Sequence, residues 1–172
     1  METLAAILDI GWLAQLVNDY DWVWPICEML HFIGMALLIG TVGWLDLRIL
    51  GFGKGVPIAS LEKLIPVGVL GFVLNVGSGL VFVTGNIAGG SIAYIGSLAF
   101  QIKMLLILIA GLNLAAYYFT GIARAAEAVP AAGDAATAAK VVAVVSLVAW
   151  FGVIYFGRMI MYNDTLLYAL GL

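Results

Sequence analysis

Two side chains that can exchange protons, Glu28 and His31, lie in an otherwise apolar stretch, ICEMLHFIGMALLIG. His31 is the only histidine in the sequence, and an imidazole is the side chain that most readily changes charge near neutral pH. The spacing of three residues places Glu28 and His31 on one face of a helix. There they can relay a proton, bind an anion or an oxygen-bearing ligand, or join an ion-pair network.

The chain around this pair is too apolar for a water-soluble domain. Hydrophobic residues make up 65% of the 172 residues and charged residues only 10%, whereas a soluble domain carries roughly 25% charged residues. The solvent of this chain is therefore lipid. The net charge of -3 and the acidic pI of about 4.8 argue against nucleic acid as a partner.

Four apolar stretches are long enough to cross a bilayer, which takes roughly 20 residues. They cover residues 25–49, 63–85, 98–122 and 140–162. Glycines recur in the first two stretches and allow membrane helices to pack closely. We therefore predict an all-α, polytopic membrane protein: a four-helix transmembrane bundle over residues 25–162, followed by a short C-terminal tail at residues 163–172.

Residues 1–24 have a different pattern, because acidic residues interrupt the apolar positions and Trp12 lies among them. This pattern favours an amphipathic helix that lies on the membrane surface over a fifth span, which stays the alternative. Tyr20, Trp22 and Trp24 then follow as an aromatic belt at the boundary between lipid and water.

The basic residues predict the orientation of the bundle. Five of the seven lysines and arginines lie on or beside the first and third connections: Arg48, Lys54, Lys63, Arg124 and Lys140. Positively charged connections stay in the cytoplasm. We therefore expect a protein of the bacterial inner membrane with both termini in the periplasm.

With this topology, four polar side chains converge on one level near the outer ends of the spans, where charges are expensive to insert, and two more approach it from nearer the midplane of the membrane. They are Glu28, His31, Asn75, Ser78, Lys103 and Arg158. One interpretation is an ion-pair network in which Glu28 neutralises the cations and fixes the helix register. The other is a functional polar pocket that opens to the outer side.

A second group of charges lies at the cytoplasmic ends of the spans. It consists of Asp46, Arg48, Lys63 and Lys140. We predict interfacial ion pairs here, in which Asp46 pairs with Lys63 or Lys140. The amides of Asn75 and Asn113 are predicted to form hydrogen bonds between helices.

Neither a metal site nor catalysis is predicted. The Glu28–His31 spacing also occurs in di-iron bundles, but those carry it on two helices and add two further carboxylates. No cofactor is predicted, although a haem held by His31 with a methionine, or shared between two protomers, stays open. The sequence has no nucleophile elbow, phosphate loop or dinucleotide fingerprint, so we expect no enzyme.

Two segments, Trp24–Gly51 and FQIKMLLILIAGLN at residues 100–113, resemble a family of uncharacterised bacterial inner-membrane proteins. The pattern in the first segment is Pro25, Glu28, His31, Gly34, Gly40 and Asp46-Leu47-Arg48-x-Leu50-Gly51. The resemblance implies a four-helix membrane fold and no established activity. A more distant similarity is to the copper-resistance D membrane proteins, which carry more histidine and methionine at membrane depth than this chain.

The leading functional prediction is a small membrane protein whose polar pocket binds a ligand or translocates ions or protons. A haem- or metal-linked redox subunit is one alternative, and a structural accessory subunit is another. The expected partners are the lipid bilayer and either further copies of the chain or a larger membrane complex.

Overall fold

The chain is helical throughout the part that the structure describes. The computed structural model describes Leu8, residues 10–85 and residues 90–171, apart from the side chain of residue 169. In these ranges 83% of the residues are helical and no strand occurs. The predicted all-α class is confirmed.

Four helical segments are long and apolar enough to cross a membrane. The first to fourth long helices are Val23–Leu50, Ile58–Thr84, Leu98–Phe119 and Thr137–Tyr168. Large apolar side chains stand on their outer surfaces, and Phe32, Val73 and Val148 are 66%, 59% and 65% exposed. Lipid accommodates such surfaces and water does not, so the four helices are compatible with a transmembrane bundle.

Shorter elements build and connect the long helices. In chain order they are α1 Gly11–Asp19, α2 Val23–Leu38, a π-helical turn Ile39–Gly43, α3 Trp44–Leu50, α4 Ile58–Glu62, α5 Ile65–Thr84, α6 Gly90–Gly96, α7 Leu98–Phe119, α8 Ile122–Glu127, α9 Thr137–Met159, a 3-10 turn Ile160–Tyr162 and α10 Asn163–Leu170. Thus α2, the π turn and α3 form the first long helix, and α7 alone forms the third.

The long helices pack as two pairs. The first packs along the second, the third packs along the fourth, and α3 joins the pairs by packing against α9. The second and third long helices lack extensive packing against each other over the described residues. This arrangement leaves room for a cavity between the pairs.

Glycine permits the close crossing of the first and second long helices. A Cβ atom added to Gly34 would lie 2.7 Å from the carbonyl oxygen of Gly71, and one added to Gly71 would lie 2.6 Å from that of Gly34. Backbone atoms cannot yield to such contacts, so both positions require glycine. Small residues have this role in membrane bundles because packing holds the helices together there.

The two ends of the bundle carry different connections. The basic end carries the connections 51–57 and 120–136, and the terminal end carries α1, α6 and α10. Helix α1 buries Leu13 and Val17 and packs against the end of the second long helix. Residues 1–7 and 9 of the predicted surface helix lie outside the described residues.

The structure differs from the sequence prediction at the C-terminus. The segment predicted to be a short tail forms α10, which continues the fourth long helix and buries Leu166. The hydroxyl of Ser97 donates a hydrogen bond to Oδ1 of Asn163 at 3.1 Å. This bond ties the start of α10 to the start of the third long helix.

Candidate functional site

Part of the predicted outer pocket assembles around His31. Nδ1 of His31 lies 2.8 Å from Oγ of Ser78, and the Ser78 hydroxyl donates to the carbonyl oxygen of Leu74 at 2.6 Å. Because a hydroxyl has one proton, we infer that Nδ1 of His31 carries the hydrogen of its bond to Ser78. Asn75 donates within its own helix, to the carbonyl oxygen of Gly71 at 3.0 Å, rather than to another helix.

The ion pairs predicted for Glu28 are not formed in the described part of the chain. Glu28 is exposed and accepts a hydrogen bond from Nε1 of Trp24 at 3.1 Å. Arg158 is also exposed, and its guanidinium carbon lies 5.6 Å from the ring centroid of Tyr162. The reason is helix packing: Glu28 and Lys103 belong to the first and third long helices, which share no extensive contact.

Lys103 keeps a partly buried position inside the bundle. It lies beside the fourth long helix, where a Cβ atom added to Gly157 would be 3.6 Å from its Nζ. The charge of Lys103 also acts on His31. Of the predicted pocket, the structure therefore joins His31 to Ser78 and keeps Lys103 within electrostatic range. We call His31, Ser78 and Lys103 the outer polar group.

Asp46 lies deep in the bundle instead of at its boundary. Only 5% of the residue is exposed, and its Oδ2 atom has no hydrogen-bond partner among the described residues. Ser146, on the fourth long helix, faces the carboxyl group as its hydrogen-bond neighbour. The predicted ion pair with Lys63 or Lys140 is wrong, because Lys63 is exposed and Lys140 pairs with Asp134 at 3.5 Å.

Two local features remove Asp46 from water. The π-helical turn Ile39–Gly43 adds a residue to the first long helix, which rotates the following segment by about 100° and changes the face that Asp46 presents. After Leu50, Gly51 adopts a left-handed φ of 107° and ends the helix. The chain can then turn across the basic end of the bundle.

Arg48 fastens the connections that cover this end. Only 1% of Arg48 is exposed. Its Nε donates to the carbonyl oxygen of Val56 at 2.6 Å, and its Nη2 donates to that of Ala131 at 2.6 Å. Longer bonds of 3.4 and 3.5 Å reach the carbonyl oxygen of Gly133. The ion pair predicted for Arg48 is therefore replaced by hydrogen bonds to the backbone.

A central cavity of about 140 Å³ lies beside Asp46. All four long helices contribute to its walls, which are mostly apolar. The rings of Phe72 and Trp150 line its terminal-end side, with their centroids 6.2 Å apart. None of the described residues that line the cavity is basic, so nothing in the wall neutralises the carboxylate.

Asn113 and Tyr117, both on the third long helix, add polar groups to the cavity wall. Nδ2 of Asn113 donates to the carbonyl oxygen of Val142 at 3.0 Å, which confirms the interhelical hydrogen bond predicted for Asn113. The Tyr117 hydroxyl donates to Oε1 of Glu62 at 2.5 Å. Glu62 in turn lies beside the exposed Glu127, whose carboxyl group interacts with it.

Tyr117, Glu62 and Glu127, which we call the carboxyl track, therefore lead from the cavity wall to the surface of the basic end. Hydroxyl and carboxyl groups joined in this way can pass protons. The track is thus a row of polar groups between the water at the basic end and the cavity that Asp46 lines. It comes from three different helices, α4, α7 and α8.

The salt bridges of the described chain lie at the basic end, outside the cavity. Lys54 binds Oδ2 of Asp134 at 2.9 Å, and Lys140 lies 3.5 Å from Oδ1 of the same residue. The hydrogen bond from Lys54, with the charges of Lys54 and Lys140, lowers the pKa of Asp134. This triad joins the two connections that Arg48 also fastens.

The sequence analysis missed three residues of this region: Ser146, Tyr117 and Glu62. Ser146 carried a usable signal, since it is an isolated polar residue in the apolar run KVVAVVSLVAWFG. Tyr117 and Glu62 carried none, because 55 residues separate them and they meet only where α4 packs against α8, just beyond the third long helix.

Comparisons with known proteins define this chain no further, since no family model, curated protein or solved structure matches it. The fold and the site define a class instead: a helical protein with four helices able to cross a membrane and a buried carboxylate beside a cavity. In the described ranges, no group of three or more histidine, cysteine and acidic side chains is placed to hold a metal ion.

Proposed function

We propose that this chain is an integral protein of the bacterial inner membrane that translocates protons, with Asp46 as the group that takes up and releases them. The observation that carries the proposal is the Oδ2 atom of Asp46, which is buried without a hydrogen-bond partner among the residues that the structure describes. A carboxylate at membrane depth is expensive unless a cation neutralises it. Asp46 therefore has a strong physical reason to exchange a cation, and the proton is the smallest.

The route from the basic end to Asp46 runs through the carboxyl track. Tyr117 lines the same cavity as Asp46 and is hydrogen-bonded to Glu62. Tyr117 is the other titratable side chain among the described residues that line the cavity. The nearby charge of Arg48 is turned away, onto backbone carbonyls.

The route toward the terminal end begins at the outer polar group. Ser78 lies six residues beyond Phe72 on the second long helix, which is about 9 Å along a helix. The rings of Phe72 and Trp150 line the cavity, and Phe72 precedes Ser78 along the second long helix. An apolar barrier between two polar half-routes prevents free leakage, so a movement of these rings would gate proton transfer.

The proposal includes an orientation. The basic end faces the cytoplasm, both termini face the periplasm and α1 lies at the outer interface. The support is the concentration of lysine and arginine at one end. Cysteines introduced near Lys54 and Pro130 should resist a membrane-impermeant thiol reagent in intact cells, and rapid labelling of both would reverse the orientation.

Proton flux into liposomes tests the function directly. The purified protein is reconstituted with a trapped pH dye, and a potassium diffusion potential, negative inside, is applied with valinomycin. We expect the vesicle interior to acidify, and Asp46→Asn to slow this about a hundredfold, because a positioned proton-transfer group contributes at least that much.

Asp134→Asn is the matched control, because it removes an exposed carboxylate outside the cavity and should leave the flux unchanged. Equal flux through the wild-type protein and Asp46→Asn would contradict the proposal. So would a wild-type flux no greater than that of protein-free vesicles.

The two alternatives from the sequence have their own tests. A haem-linked subunit would show a strong Soret band in the absorption spectrum of the purified protein. An accessory subunit would co-purify with a larger complex in mild detergent. No contact among the described residues favours either over proton translocation.

A further inference from the structure

The central cavity has the size of a small organic molecule. Its volume is about 140 Å³, close to that of the roughly 150 Å³ engineered cavity that stays dry and binds benzene. A cavity with mostly apolar walls gains little from water, because each water molecule needs two to four polar partners. Its size and walls therefore suit a compact apolar group better than a cluster of waters.

The chemistry of the wall adds one requirement, a single positive charge. Asp46 supplies a carboxylate that is only 5% exposed and whose Oδ2 atom has no hydrogen-bond partner within the described ranges. The rings of Phe72, Trp150 and Tyr117 also line the cavity, and aromatic faces attract cations. Asn113, whose amide nitrogen donates to the carbonyl oxygen of Val142, is a further polar residue of the wall.

These groups favour an organic cation over an inorganic one. Calcium takes six to eight oxygen ligands and magnesium an octahedral set. The described cavity wall offers five side-chain oxygens, on Asp46, Asn113, Ser146 and Tyr117, and Asp46 is the one acidic residue among those that line it. An alkyl- or arylammonium ion needs one strong anionic contact and fills the remaining space with its apolar part.

Access to the cavity also favours a ligand that dissolves in lipid. Residues of both the second and the third long helix line the cavity, yet these helices lack extensive packing against each other. A small amphiphile can therefore enter between them from the bilayer, whereas a hydrated metal ion cannot.

We propose that the central cavity binds a small organic monocation, a protonated primary amine with an apolar body about the size of benzene. The ammonium group binds Asp46 and the body lies against Phe72 and Trp150. The inference rests on the proposed function, because the amine and the proton then compete for one carboxylate. When the ammonium ion binds, a proton held by Asp46 leaves to water.

Equilibrium binding of radiolabelled benzylamine to the full chain in lipid nanodiscs tests the inference. At neutral pH benzylamine carries one positive charge, and benzyl alcohol is a neutral molecule of similar size. We expect saturable binding of benzylamine, about tenfold or more weaker binding to Asp46→Asn, and similarly weaker competition by benzyl alcohol, as expected when a charge-assisted bond is lost.

A second variant, which fills the cavity, tests benzylamine binding without changing Asp46. Gly111 is an exposed residue that lines the cavity, and a Cβ atom added to it meets no atom within 4 Å; the same is true of Gly77, an exposed residue that does not line the cavity. Gly111→Leu should fold and lose binding about tenfold or more, because a larger side chain at the cavity wall takes space from the ligand. The matched Gly77→Leu should bind like the wild-type protein.

Each result decides between the two proposals. Uptake that does not saturate, or that is equal in wild type, Asp46→Asn and Gly111→Leu, would overturn the amine site. Benzyl alcohol that competes as well as benzylamine would overturn its cationic character. If Asp46-dependent proton flux occurs without benzylamine binding, only this inference fails; if saturable binding occurs without proton flux, only the proposed function fails.

Discussion

Arg48 and Asp46 are two buried charges separated by one residue, and the bundle treats them in opposite ways. Arg48 is 1% exposed and donates to the carbonyl oxygens of Val56, Ala131 and Gly133. Asp46 is 5% exposed and faces Ser146, and its Oδ2 atom has no hydrogen-bond partner in the part of the chain that the structure describes. The charge of Arg48 is therefore compensated by hydrogen bonds, whereas the carboxylate of Asp46 can still bind a cation.

The difference separates a structural role from a functional one. Burying a charge is costly, and hydrogen bonds offset the cost at Arg48. At Asp46 the cost is offset only when a proton or another cation binds. A charge with saturated hydrogen bonds resists change, whereas an unsaturated one can still bind a proton, so we propose a structural role for Arg48 and a functional role for Asp46.

The largest effect on stability is expected at Arg48. Arg48→Met should strongly destabilise the protein, because the carbonyl oxygens of Val56, Ala131 and Gly133 lose their donor, and a polar group left unpaired away from water costs about 1–3 kcal/mol. Thermal unfolding in detergent, followed by tryptophan fluorescence, measures the loss. Arg124→Met is the control, because Arg124 is an exposed arginine at the same end of the bundle. If both variants unfolded at the same temperature, Arg48 would not be the structural charge of the pair.

The sequence predicted the four long helices but not the contrast between Arg48 and Asp46. Hydropathy predicted the four long helices, because lipid demands long apolar stretches. It did not predict the environments of Arg48 and Asp46. Their burial depends on the π turn at Ile39–Gly43 and on the fold of the connections over the basic end, and neither leaves a periodic pattern in the sequence.

The outer polar group was predicted in part for the same reason. His31 and Ser78 lie on the first and second long helices, which are consecutive in the chain and pack together. Their similar depth along these helices was therefore enough to predict that they meet. The predicted pairing of Glu28 with Lys103 required the first and third long helices to be neighbours. Which helices become neighbours is decided by close packing, including the Gly34–Gly71 crossing.

A smaller loss of stability is expected when the hydrogen bond between His31 and Ser78, which joins the first and second long helices, is removed. This bond is an intermediate case between Arg48 and Asp46. Ser78→Ala should destabilise the bundle by about 1 kcal/mol, the typical net value of one hydrogen bond. His31→Gln keeps a donor and an acceptor and should retain the fold, but it cannot carry a proton. Unfolding and proton flux measured on both variants separate the roles, and unchanged flux in His31→Gln would remove His31 from the proton route.

A still smaller effect is expected at Asp134, whose charge is exposed where that of Arg48 is buried. Lys54 and Lys140 lower the pKa of Asp134 in the folded chain. Its contribution to stability is therefore complete above the ordinary aspartate pKa of about 4 and is lost as the pH falls through the lower folded value.

Hydrogen exchange of the connection 131–136 measures this loosening at acidic pH, and salt should weaken the same contacts. Asp134→Asn should show the faster exchange already at neutral pH and respond little to acid. If the rate of hydrogen exchange in this connection changed with neither pH, salt nor the substitution, Arg48 alone would hold the connections in place.

The smallest change in stability is expected at Asp46 itself. Asp46→Asn removes a buried charge that has no counterion, so the free energy of unfolding should change by less than about 1 kcal/mol or increase. Thermal unfolding of this variant is measured under the same conditions as that of Arg48→Met. A loss as large as that of Arg48→Met would mean that the carboxylate has a stabilising partner and that the contrast is false.

Labelling with a carbodiimide tests the central claim, that Asp46 exchanges a proton inside the bundle, most directly. A lipid-soluble carbodiimide reacts with protonated carboxyl groups in apolar surroundings, and mass spectrometry locates the modified residue. We expect labelling of Asp46 that decreases as the pH is raised and is absent in Asp46→Asn, while a water-soluble carbodiimide labels Glu127 and Asp134 first. An Asp46 that stays unlabelled at every pH at which the protein is folded would contradict the claim.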